Sequence, residues 1–74
     1  MTKTSAAAVG ENIRTEMTRQ SLTQADIAAA LGVSQSGVSR RLLGAIAFDV
    51  TELTILARLF GVPASQILGE SAAA

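Results

Sequence analysis

The stretch Thr23–Gly44, TQADIAAALGVSQSGVSRRLLG, contains two helix beginnings and two helix ends, with only Gly32 and Val33 between the helices. Thr23 is a suitable N-cap, because its hydroxyl can accept a hydrogen bond from an otherwise unpaired backbone N–H of the first turn. Asp26, three residues on, can close a capping box and sits at the positive end of the helix dipole. Leu22 and Ile27 flank this cap as a hydrophobic staple, and Gly32 supplies the left-handed residue that ends the helix. The pattern restarts at once. Ser34 is the next cap, Val33 and Val38 are its staple pair, and the helix runs to about Leu43 before Gly44 stops it.

A third copy lies downstream in FDVTEL (Phe48–Leu53): Asp49 is the cap, Glu52 completes the box, and Phe48 pairs with Leu53. That helix ends at Gly61. A short helix, PASQIL, begins at or just after Pro63, whose ring suits a first turn. Upstream, Ile13 and Met17 share one face of a first helix, roughly Val9 to Gln20. The sequence therefore predicts an all-α domain of five short helices joined by tight turns, spanning 9–69. Short tails at 1–8 and 70–74, low in complexity, are expected to be flexible, although the first alanines could extend the first helix.

Composition narrows the function. The chain has 74 residues, with no cysteine and no histidine. Disulfides and thiolate metal sites are excluded, and the commonest general base and metal ligand is missing. The six acidic residues are scattered singly, so no metal, cofactor or small-molecule site is expected, and an enzyme is a poor fit. Six acidic residues offset six basic ones, which moves the question of a polyanionic partner from net charge to charge placement. No apolar run suits a membrane span or a signal peptide, and the cytoplasm is the expected location.

The link Gly32–Val33 is so short that one helix must cross the other at a sharp angle. Ala28 is small enough to allow that crossing, Gly32 makes the turn, and Val38 inserts from the second helix. This is the spacing of a helix-turn-helix, here at 24–43. Three blocks, LTQADIA, LGVSQSGVSR and LARLFGV, stand at matching mutual distances. Together they make Val9–Leu68 resemble the lambda-repressor-like helix-turn-helix family of Cro and phage repressors.

The resemblance implies that the helix opening at Ser34 lies in the major groove of double-stranded DNA. Val38 and Leu42 face the core, and Gln35, Ser36, Ser39, Arg40 and Leu43 fall elsewhere on the helix. Gln35, Ser36, Ser39 and Arg40 are the expected base-edge residues: Gln suits adenine, Arg suits guanine, and small side chains let the helix sit deep. Gln24, Arg41, Arg14 and Arg19 are the expected phosphate contacts, with Arg41 laying its stem over the core. Two departures from the family stand out. Arg41 occupies a position where many members carry a large apolar residue, and the loop GAIAF (Gly44–Phe48) is apolar where relatives often carry Lys, Arg or Asn. Fewer loop contacts imply weaker non-specific binding and a shallower salt dependence. Ile46 and Phe48 are expected in core or staple roles.

The function so implied is a sequence-specific transcriptional regulator, a phage-type repressor or Cro-like protein. Two copies on a palindrome about one helical turn apart would supply useful specificity. Leu59, Phe60, Val62, Ile67 and Leu68 either contribute to a weak homodimer contact, Phe60, Val62, Ile67 and Leu68 foremost, or all belong to the core. The alternatives are an antitoxin or adaptor that binds protein, and an excision factor that bends DNA.

Overall fold

The computed structural model describes residues 5–69, and the expected tail 70–74 lies outside them, as do residues 1–4 of the expected N-terminal tail. Five helices follow in order: α1 (Ala6–Gln20), α2 (Gln24–Leu31), α3 (Gln35–Leu43), α4 (Val50–Phe60) and α5 (Ala64–Leu68). No strand occurs among the described residues. The fold is all-α, as the helix signals implied.

The caps act as the sequence suggests. The Thr23 hydroxyl accepts from the Asp26 N–H at 3.1 Å, and the Asp26 carboxylate accepts from the Thr23 N–H at 2.8 Å. Asp49 and Glu52 repeat the exchange at 2.7 and 3.1 Å. Ser34 accepts from the Gly37 N–H at 3.0 Å and opens α3. Gly32, Gly44 and Gly61 close their helices at positive φ.

One boundary differs. α1 begins at Ala6, so Ser5–Ala8 belong to its first turn and not to a tail. Ser5 is the reason: its hydroxyl accepts from the Ala8 N–H at 3.1 Å, and the three alanines that follow are the best helix formers available. The other end of α1 closes at Ser21, which takes the left-handed conformation (φ 58°) without being glycine.

Val9, Ile13 and Met17 of α1 meet Ile27, Ala28, Val38, Leu42, Phe48, Leu56, Phe60 and Ile67 in one core. Each fully buried Ile or Leu contributes about 1.5–3 kcal/mol relative to exposure. Leu22, Val33 and Leu53, the outer staple partners, pack half-buried against it. Phe48 is in the core, whereas Ile46 of the same loop remains exposed.

α1 lies across α3 at very short range. A Cβ on Gly10 would collide with the carbonyl of Leu42, and one on Gly44 would fall 2.9 Å from the backbone of Ala7. Only a residue without a side chain lets these two helices approach so closely.

α5 has no side-chain cap. α1 holds it instead: Asn12 donates to the Ile67 carbonyl at 2.7 Å, and Gln66 donates to the buried Glu16 carboxylate at 2.8 Å. Glu16 also accepts from Arg19 and Gln20, and Gln20 donates to the Phe60 carbonyl at 2.9 Å.

Gly10→Ala is expected to destabilise the fold by about 1–3 kcal/mol, as overpacking does, even though alanine favours helices; urea denaturation of the two proteins checks this. Asp26 gives a second test. The hydrogen bonds from the Thr23 backbone and hydroxyl hold its carboxyl below the ordinary value of 3.8. A folded value below the unfolded one means that the α2 cap contributes fully above pH 3.8 and weakens as pH falls through the lowered value. In an NMR titration, Asp26 is expected to titrate below the ordinary carboxylate range and to move only part of the way back in Thr23→Ala, which loses the hydroxyl but keeps the backbone N–H.

Candidate nucleic-acid interface

α3 is amphipathic for a simple geometric reason. Val38 and Leu42, four residues apart, fill the core, so the helix turns Ser36, Arg40 and Leu43 outward in a single stripe. Gln35 begins the helix and is exposed, and Ser39 is half-buried beside the stripe. Ser34 and Ser36 share a hydroxyl contact at 3.1 Å, which steadies the first turn. The four expected base-edge residues therefore lie on one element, three of them exposed.

Arg40 is exposed and forms no ion pair among the described residues. Standing in the last turn of α3, it also complements the negative end of the helix dipole. Leu43 extends the stripe and is 68% exposed, a large apolar side chain with little covering it. Ile46 in the α3–α4 loop and Val50 at the start of α4, 80% exposed, are further exposed apolar side chains.

The expected phosphate residues separate into three situations. Gln24 opens α2, half-buried, with its side-chain amide free of any hydrogen bond among the described residues. Arg14 is exposed on α1 and lines a shallow groove with Ala7, Glu11, Leu42 and Leu43, beside the end of α3. Arg19 lies at the other end of α1, where it pairs with Glu16 at 3.1 Å. Its neighbours there, through Glu16, are Gln20 and Gln66, close to α5. Arg14 and Arg19 nevertheless line one open groove along α1, together with Glu11, Thr15 and Thr18.

Arg41 turns inward. Its Nε and Nη2 each donate to the Glu52 carboxylate at 3.2 Å, and its Nη1 donates to the Gly37 carbonyl at 3.0 Å. The two side chains are only 15% and 13% exposed. The stem does lie close to the core, but the head of the side chain is engaged by protein.

The C-terminal apolar residues divide as well. Phe60 and Ile67 are core residues and have no surface to offer a second copy, which corrects their expected place in a homodimer contact. The reason is the docking of α5 on α1, which needs both side chains as filling. Val62 and Leu68 pack half-buried on the core, and Leu59 alone of the five is exposed. Arg58, which the sequence reading did not single out, is exposed in the last turn of α4 and forms no ion pair among the described residues.

Among the described residues, no three Asp or Glu side chains gather where a metal ion could sit. No helix there is long and apolar enough to cross a membrane. Neither the curated proteins nor the solved structures contain a match to this chain. The BetR domain family does match, over residues 4–74. With a short turn between α2 and α3, and with α3 turning a polar, arginine-bearing stripe to solvent, the chain belongs to the BetR domain family, a helix-turn-helix-type DNA-binding family.

Proposed function

We propose that this protein is a sequence-specific regulator that binds double-stranded DNA through α3, acting as a repressor of the phage or Cro-like kind. The observation that carries the reading is the outward stripe of α3. It holds Ser36 and an unpaired Arg40, with Gln35 at its start and Ser39 at its side. Gln35, Ser36, Ser39 and Arg40 are the base-edge residues of this reading, since Gln pairs bidentately with adenine and Arg with guanine. Gln24 and Arg14 are its phosphate contacts, fixing register without reading sequence. Arg19, tied to Glu16, is at most a peripheral one.

A protein-binding role has one observation in its favour, the exposed apolar side chains of Leu43, Ile46 and Val50. An adaptor, however, has no need of an unpaired arginine beside Gln35 and Ser36 on the same helix. Two copies on a palindrome remain part of the proposal, with any contact between them drawn from Leu59, Val62 and Leu68.

Selection of bound duplexes from a random library at near-physiological salt tests the reading, with Arg40→Ala in parallel. The wild type is expected to enrich a defined site, and the variant to lose about 1–3 kcal/mol on it with relaxed preference at one base pair. Weak binding to every duplex, identical for both proteins, would sink the proposal. The salt dependence is a separate check. Arg14, Arg40 and Arg58 are the unpaired arginines among the described residues. At a slope of about −0.9 per neutralised phosphate, log K against log salt is expected to run at roughly −3 per protomer or shallower. A much steeper slope would mean that Lys3 or the paired arginines also reach the backbone.

A further inference from the structure

We propose that Arg41 is a positioning residue: it fixes the rotation of α3 about its own axis by clamping the helix to the N-terminal cap of α4. The inference rests on the DNA-binding reading above and assigns Arg41 a role other than phosphate contact.

The packing leaves a gap that this side chain bridges. α3 lies against α1 and α2, and α4 lies against α1, α2 and α5, but the backbones of α3 and α4 do not approach each other closely. Among the described residues, the hydrogen bonds from Arg41 to Glu52 are the polar link between them. The link is anchored at both ends. Arg41 Nη1 donates back to the Gly37 carbonyl one turn earlier in α3, and Glu52 Oε1 also accepts from the Asp49 N–H that begins α4. Gly37 makes the room: a Cβ there would lie 3.1 Å from Arg41 Nη1.

The energetics favour a geometric role. A largely buried ion pair returns little net stability, because its attraction is offset by lost hydration. A planar guanidinium meeting a carboxylate through two parallel bonds instead accepts a narrow range of orientations. Arg41 and Arg40 are neighbours on one helix, so any rotation that strains the first displaces the second. A turn of about 20° moves a side-chain tip at a radius of about 5–6 Å by about 2 Å. Hydrogen bonds to a base edge do not survive such a shift.

The test uses Glu52→Gln and the double variant Arg41→Met/Glu52→Gln. Glutamine can still accept from the Asp49 N–H, so the α4 cap survives, and the double variant leaves no unpaired charge behind. Each is titrated, after circular dichroism, with the duplex most enriched by the wild type and with a scrambled duplex, over a series of salt concentrations. The expected result for both is a roughly tenfold loss on the enriched duplex, unchanged binding to the scrambled one, and an unchanged salt slope. A purely structural role would weaken both duplexes together and overturn the proposal. So would a Glu52→Gln protein that binds both duplexes as tightly as the wild type or tighter, with a double variant whose salt slope is shallower by about one unit; that pattern marks Arg41 as a phosphate ligand. Unchanged binding by both variants overturns it too. A wild type that enriches no duplex removes the DNA reading itself, a different failure from a selective wild type with indifferent variants. Should the double variant fold poorly, Glu52→Gln decides alone.

Discussion

The close crossing of α1 over α3 organises the molecule. Gly10 meets the backbone at Leu42, and Gly44 meets the backbone at Ala7, so the two helices touch where side chains are absent. That contact brings Val9 and Ile13 against Val38 and Leu42 and seals the core from one side. It also determines which residues of α3 remain outside. Once Val38 and Leu42 are committed inward, the helical repeat leaves Ser36, Arg40 and Leu43 no choice but solvent. The glycine in mid-helix costs roughly 1 kcal/mol of helix preference, a local loss offset by packing that no larger residue would permit.

Local structure was highly legible in the sequence. Thr23, Ser34 and Asp49 cap their helices as read, and Gly32, Gly44 and Gly61 end them, because caps and left-handed stops act over three or four residues of contiguous chain. What depends on distant pairs was not legible. Nothing near Gly10 in sequence announces Leu42, and nothing near Glu16 announces Gln66. Ser21 closes α1 in a conformation that serine seldom takes, so no glycine marked the place. The alanine run after Ser5 reads equally well as helix or tail until something packs on Ala7.

The candidate surface was legible in the same uneven way. Gln35, Ser36, Ser39 and Arg40 could be placed because one amphipathic helix carries them all. Arg41 could not, since its partner Glu52 lies eleven residues away behind a loop, and an arginine next to another arginine looks like surface charge. Phe60 and Ile67 illustrate the opposite difficulty: apolar side chains near a chain end fit a partner or a core equally well, and only the docking of α5 decides. Glu16 and Glu52 each take up an arginine, whereas Asp26 and Asp49 are engaged in helix caps and Glu11 forms no ion pair, so positive charge remains unpaired at Arg14, Arg40 and Arg58 among the described residues.

Glu52 belongs to two structures at once, the cap of α4 and the bridge to α3, whereas Arg40 and Leu43 hold no other element in place and Ser36 touches only the cap of its own helix. The positions that hold the reader and the positions that read are therefore separate along the chain. Exchanging side chains at 40 and 43 disturbs no cap and no ion pair among the described residues, and at 36 only the hydroxyl contact to the Ser34 cap, so a new preference could be written there with little effect on folding. A change at 10, 41, 44 or 52 has no such freedom. Divergence among proteins built this way would be expected to concentrate on the outward stripe of one nine-residue helix, with the frame beneath it held still.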